Sequence, residues 1–278
     1  MTDFIAFCQS HGLIINQLPT FGKWTRVPTE NHPRKKNGAA KYLGDVGFCQ
    51  DHATMTEPAV WFPDKDSPVD LAKITRMRND ATRQMEQDAR KAADKAQWII
   101  DQCQPEQHAY LESKGFPDMQ GLVWRPEEHS NLLVIPMRNG ADLVGCQLID
   151  RAGNKKFLFG QRSGGAEFVI GSSGVDVWVE GYATGLSVSK CAKHAGLRLR
   201  THICFSAGNL QKMAKSGYVI ADNDASGTGV KAAQATKLPF WVSDHAGEDF
   251  NDFWKRTGTV RASLELRKGI ILAQRLTM

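Results

Sequence analysis

The sequence has no apolar run approaching the eighteen or so residues that a membrane-spanning helix needs, so no transmembrane segment and no membrane partner are expected. Its first residues, MTDFIAFCQSHG, carry an acid and lack a positively charged start, and no secretory leader is expected there. Six cysteines are scattered singly without one CxxC pair. That spacing argues against a disulfide framework and for reduced thiols in a cytoplasm. No Gly-x-x-x-x-Gly-Lys run followed by Ser or Thr occurs, so the chain is not itself a helicase motor. Acids are missing from two stretches. None lies between Gly181 and Ala221, which holds Lys190, Lys193, Arg198, Arg200, Lys212 and Lys215, and none lies between Arg151 and Arg162. Basic surface is therefore expected around whatever Glu180 and Asp222 do.

What is present fits an ordinary globular protein: 41% hydrophobic and 23% charged residues, with a net charge of +5. A length of 278 residues allows two or three modules. Residues 1–66 mix short apolar runs with Gly, Pro and the basic loop HPRKKNG, which reads as a separate small α+β module with an initiation or template-binding role. Ser67, Pro68 and Asp70 look like a helix start with a capping box. The Ala-, Arg-, Lys- and Gln-rich run to Cys103 predicts one long, mostly solvated linker helix over 67–103. Residues 104–172 carry short β-like runs, LLVIPM, LVGCQLI, KFLF and EFVIG, which predict a small antiparallel subdomain. Over 173–255 strands alternate with helices, from VDVWVE through THICFSA, YVIAD and PFWVSD. Alternation of that kind predicts a parallel sheet with helices on both faces. Residues 256–278 read as a C-terminal helix. The fold class expected is thus α/β together with α+β.

Chemistry concentrates at the strand ends. Glu180 closes VDVWVE and is followed by Gly181; Asp222 closes YVIAD, with Asp224 two residues on in DNDASGTG. Ligand sites in open α/β sheets lie beyond the carboxyl ends of strands. These carboxylates converge if their strands are neighbours, and the group around Glu248, Asp249 and Asp252 can complete the cluster. Clustered carboxylates repel unless a cation neutralises them, and oxygen ligands suit Mg²⁺ or Mn²⁺. Such ions commonly serve phosphoryl transfer. The competing reading makes Asp222 and Asp224 turn formers; βα alternation and the upstream Glu-Gly favour the site.

These residues also carry a resemblance. EGYATGLSV, then FSAGNL, DND and DFND in that order resemble the Toprim domain of plasmid and phage primases. The antiparallel runs before them, with HAYLESKG and KKFLFGQRSGG, are similar to the basic half of the polymerase core of DnaG-type bacterial primases. The resemblance spans about 107–255. It implies a metal-dependent DNA primase, a nucleotidyltransferase that joins ribonucleoside triphosphates on a single-stranded DNA template, in the cytoplasm of a bacterial cell and encoded by a phage or plasmid. A separate replicative helicase would be its partner. Carried over, Glu180, Asp222 and Asp224 would be the catalytic acids, with Asp249 a further metal ligand. Lys156 would face nucleotide or template with Phe157 beside it. Thr184 and Asn251 stand where that family carries further aspartates.

Arg138, Arg151, Lys155, Lys156 and Arg162 supply a sequence-independent grip on phosphates in this reading; the plain alternative is a solvated face. Arg34, Lys35 and Lys36 are weaker candidates of the same kind, and Trp24 and Tyr42 are expected in the core rather than stacked on bases. Cys8, His11, Cys49 and His52 make an acceptable zinc set in number. Cys8 and His11, however, fall on an amphipathic helix, and buried thiols with surface histidines are favoured over zinc. His108, His129, His194, His202 and His245 show no pairing that suggests acid–base work. Two other functions fit the same fold: a non-catalytic DNA-binding or recombination-mediator protein, and a Toprim nuclease. A topoisomerase does not fit, since the length leaves no room for strand-passage domains.

Overall fold

The computed structural model describes residues 3–55, 57–63, 71–127 and 131–276. It divides into two compact units, Met1–Gln87 and Asp88–Met278. The Ser67–Asp70 cap and His129 lie outside the described residues. No helix among these residues is long and apolar enough to cross a membrane.

The first unit holds α1 (Phe4–Ser10) and the strands β1 (Thr25–Val27), β2 (Gly38–Tyr42), β3 (Gly47–Asp51) and β4 (Ala59–Trp61), which form one antiparallel sheet in chain order. Asp3 caps α1 by accepting from the Ala6 N–H at 2.7 Å. Its core is built from Phe4, Cys8, Leu13, Val27, Ala40 and Cys49. Trp24, expected in a core, is 47% exposed and only tilts against Phe48. Tyr42 does pack on that core, between Phe4 and Trp61.

Helix α2 (Leu71–Asp101) runs without Gly or Pro. It is not solvated throughout. Ala92, Ala96 and Ile99, spaced along one face, are buried, and the last two pack with Val134 and Cys146. Small side chains in an otherwise charged run conceal that stripe from a hydropathy reading.

In the second unit β5 (Gln104–Gln107), α3 (Ala109–Ser113), β6 (Gln120–Trp124), β7 (Leu132–Asn139), β8 (Asp142–Ile149) and β9 (Lys155–Phe157) follow in turn. The five strands make an antiparallel sheet in chain order, with β9 at one edge. Next come β10 (Phe168–Ile170), β11 (Val175–Val179), α4 (Tyr182–His194), β12 (Leu199–Ile203), α5 (Ala207–Met213), β13 (Tyr218–Ala221), α6 (Thr228–Thr236), β14 (Phe240–Val242) and α7 (Phe250–Leu276). Their sheet has the order β10-β12-β11-β13-β14. All its pairs are parallel except β10 on β12.

EFVIG therefore does not belong wholly to the antiparallel subdomain, as its place in the sequence suggested. Glu167 exchanges backbone hydrogen bonds with Arg138 of β7, at 2.8 and 2.9 Å, while the next three residues pair with β12. The segment crosses from one sheet to the other. Asn209 fixes this crossing, its amide donating to the carbonyls of Ala166 and Cys204 and accepting from the Gly165 N–H.

Strand alternation explains why both faces of the second sheet are covered. Val177, Val179, Tyr218 and Ile220 turn to one face and pack with Leu186 of α4 and Leu266 and Ile270 of α7. Trp178, Val219 and Ala221 turn to the other, against Leu210 of α5 and Ala233 of α6. Helix α7 bends at Gly258, whose φ of 82° and ψ of 164° are not helical.

Candidate functional site

Strands β11 and β13 are direct neighbours in parallel register, with Val179 opposite Ile220. Glu180 and Asp222, the residues that leave these strands, therefore emerge at the same sheet edge, where strand spacing is about 4.8 Å. The Glu180 charge acts on Asp222, as does that of Asp249, just before α7. All three carboxyls are pushed above their ordinary range. Burial is the first cause in each case. The Asp224 charge adds to it at Glu180, and the Asp249 and Glu180 charges add to it at Asp222, where the carboxyl reaches about 7. Lys155 opposes the shift at both Glu180 and Asp222.

Two further features mark Asp222. Its Oδ1 is sealed from solvent and has no hydrogen-bond partner, as has the Thr184 hydroxyl at the start of α4. Its backbone carbonyl lies so close to α6 that a Cβ at Gly229 would come within 2.4 Å of it, so the loop after β13 requires a glycine there. A cleft of about 330 Å³ opens here, lined by Tyr110, Lys114, Lys155, Thr184, Asp222 and Asp249 among others. Lys114 also counters the Asp249 charge.

Asp224 is different in kind. Its carboxylate accepts from the Ser226 N–H at 2.8 Å, from the Ser226 hydroxyl and from the Gly229 N–H at 3.0 Å. These bonds, the Ser226 side chain foremost, hold its carboxyl down at about 2. They are a turn former's bonds, so the plainer reading of DND applies to this residue while Asp222 remains unsatisfied.

Among the described residues, one group of three acid or histidine ligand atoms lies within 4.8 Å of one another, and it is Asp244, His245 and Glu248. There the Arg256 guanidinium already supplies a cation, meeting Glu248 at 2.7 and 2.8 Å. Glu180, Asp222, Asp224 and Asp249 are not drawn together so tightly. Mg²⁺ keeps much of its water and is commonly held by one or two carboxylates, so it does not require them to be closer. An orphaned buried carboxylate oxygen among raised acids fits such a cation.

Of the basic residues, the structure brings Lys155 to the acids. Alternation along β9 puts Phe157 on the same face as Lys155, and its ring meets Phe205 edge-on at 6.5 Å. Phe205 takes a left-handed φ of 64°, unusual for a bulky residue, and donates its N–H to the Glu180 carbonyl. Lys156 is turned to the opposite face. Arg151, Lys155 and Lys156 gather at one end of the β7–β8 hairpin. Arg138 sits at the other end, roughly 20 Å away by strand rise, with its guanidinium on the Ala141 carbonyl. Arg151 lines a second cavity of about 420 Å³ with His108, Glu112 and Asn131. Arg162, like Arg34, Lys35 and Lys36, is exposed.

Other expectations resolve locally. Cys8 and Cys49 are fully buried, and the contact with the Cys49 thiol, together with burial, pushes the Cys8 thiol up. The His11 ring lies on Phe7 and its carbonyl, and His52 is exposed. Asn251, in the place of an expected aspartate, is fully buried and donates to the Lys114 carbonyl at 2.9 Å and the Ser187 hydroxyl at 2.8 Å. It ties α7 to α3 and α4, a post that an ionised carboxylate, lacking donors, could not fill. His202, whose sequence context shows no partner, lies between Glu167 at 2.6 Å and Asp176 at 3.1 Å and stacks on Trp178. Its partners sit 35 and 26 residues away, so only the sheet pairing reveals them.

No protein-family model and no curated protein matches the chain. Among solved structures, the chain is similar to one in an assembly of bacteriophage T7 lagging-strand DNA polymerase with primase domains of two gp4 subunits, bound to an RNA/DNA hybrid and dTTP. The TM-score is 0.42 at 13% identity, over 60% of this chain and 91% of that one. A likeness of that degree does not by itself assign a function.

Proposed function

We propose that the protein is a metal-dependent nucleotidyltransferase of the Toprim type that makes short RNA primers on single-stranded DNA. The observation that carries this reading is the buried, partnerless Oδ1 of Asp222, set beside Glu180 and Asp249 at the carboxyl edge of a parallel sheet. Glu180, Asp222 and Asp249 would hold Mg²⁺ or Mn²⁺, with Asp224 as an outer contact. When bound, the ion supplies charge neutralisation for phosphate oxygens. Lys155 and Lys114 would balance the remaining phosphate charge and orient the incoming ribonucleoside triphosphate in the cleft. Tyr110 and Thr184 would shape its wall. Template DNA would lie along the basic end of the antiparallel sheet, marked by Arg151, Lys155, Lys156 and Phe157. Residues 1–66 would act in initiation, and a separate helicase would deliver the template.

The same acids would serve a nuclease, and the same lysines a protein that only binds DNA, so the test must follow products. The protein is incubated with mixed-sequence single-stranded DNA, labelled ribonucleotides and Mg²⁺ or Mn²⁺, and resolved on a denaturing gel. Short oligoribonucleotides are expected, lost on chelation. Cleaved template with no nucleotide product would mean a nuclease, and template binding with neither product a mediator.

A further inference from the structure

Phe159 is the most exposed large apolar side chain among the described residues, at 89%. Single exposed apolar residues are ordinary; the way its turn is fixed is not. Leu158, just before it, turns inward and packs with Ala96 and Val134. Gln161, two residues after it, reaches back under the turn. Its side-chain oxygen accepts from the Cys146 N–H at 3.2 Å and the Leu158 N–H at 3.1 Å, and its amide donates to the Met137 sulfur at 3.0 Å. Gly160 between them has φ of +79°, and a Cβ there would press to within 2.7 Å of Asp88. The turn is thus anchored on both sides while the ring at its tip touches water. A rigid aromatic on a fixed post loses little entropy when it gains a partner.

Charge around the post narrows the partner. Lys156 and Arg162 flank it in a run without acids, and neither has a carboxylate in ion-pair range among the described residues. Phe157, 45% exposed, stands two residues back toward the acid cleft. Unpaired cations three residues to either side of an exposed aromatic in the chain match a polyanion whose rings are free to stack, and a duplex hides its rings. We propose that Phe159 is a base-stacking post for single-stranded nucleic acid, with Lys156 and Arg162 gripping the phosphates on either side. The inference deepens the primase reading, in which the strand would be the template, but it concerns binding alone.

The test uses the full chain with a fluorescein-labelled oligothymidylate, a chelator and no nucleotides. Anisotropy is followed over a series of salt concentrations. Phe159→Ala should weaken binding roughly 5- to 150-fold, the range of one lost base stack, with the slope of log affinity against log salt unchanged. Phe159→Trp should restore wild-type affinity. Lys156→Ala and Arg162→Ala should each reduce the slope by about 0.7, as for one lost phosphate contact on a single strand. Thermal midpoints of all variants should match the wild type, since these side chains are exposed. The proposal is overturned if Phe159→Ala binds as the wild type does, or if it changes the salt slope as a cation would. It is also overturned if Phe159→Ala alters self-association in sedimentation while DNA affinity stays put, which would make the ring a protein contact. Should the wild type not bind the oligonucleotide at all, this inference fails. The primase reading is judged separately, by the synthesis assay with metal and nucleotides.

Discussion

Asp222 pays a desolvation cost with no donor to offset it at Oδ1, and the consequence can be read in pH. Its carboxyl is raised to about 7 in the folded state, against roughly 3.9 for an unfolded chain. Between those values the folded state holds the extra proton, so stability falls as pH rises through that window. In chelator, urea unfolding of the wild type is expected to lose stability from about pH 4 to about pH 7. Asp222→Asn should weaken that dependence, leaving the part that the raised Glu180 and Asp249 contribute. Parallel curves for the two proteins would disprove the buried-acid account. Under the proposed function, Asp222→Asn should also reduce primer synthesis by about two orders of magnitude or more, as expected when charge that stabilises a transition state is removed. Asp224→Asn should act mainly by loosening the Ser226–Gly229 turn, visible as lowered stability. At this scale the strand-ending acids were legible because strand, acid and glycine follow each other in the sequence. The choice of Lys155 over Lys156 was not: it depends on which face of β9 meets the cleft, and a single-residue shift of register reverses that.

Helix α7 shows the limit of legibility at the next scale. Its sequence carries apolar residues on more than one side; Val260, Leu264 and Leu272 are exposed while Ala262, Leu266 and Ile270 are buried. Periodicity alone therefore could not say which stripe faces the sheet, and the kink at Gly258 breaks the period further. Strands β13 and β14 could be read directly as continuous apolar runs, whereas β11 and β12, which carry Asp176, Arg200 and His202, could be read from their alternation with helices. Segment 167–171 could not, because its first residue pairs in one sheet and its remainder in another. Leu266→Ala is expected to cost about 2–5 kcal/mol, as for other fully buried leucines, measured by denaturant unfolding. A cost well under 1 kcal/mol would mean that α7 is not part of the core. Gly229→Ala should push the Asp222 loop out of place and, under the proposed function, lower synthesis more than it lowers stability. Equal losses in both would point to a general folding defect.

For the whole molecule, the division at Gln87–Asp88 yields a direct experiment. A fragment beginning at Asp88 should unfold in one cooperative transition, since every residue of the acid cleft and both five-stranded sheets lie within it. Under the proposed function it should extend a supplied primer nearly as well as the full chain does and start new ones poorly. Equal initiation by fragment and full chain would remove the role assigned to the first unit.

The place of α7 also bears on how the protein is made. Tyr218 of β13 lies under Gly269, where a Cβ would come within 2.2 Å of its ring, and Leu266, Ile270 and Ala273 seal the same face. During synthesis β11 and β13 emerge long before their cover does. Until α7 is made, that face is expected to be covered by α4 alone. Until then the nascent chain exposes an apolar sheet face, the surface that holdase chaperones bind. A ribosome stalled before α7 would present a chaperone substrate with an unfinished site, and a nascent chain released after α7 would not.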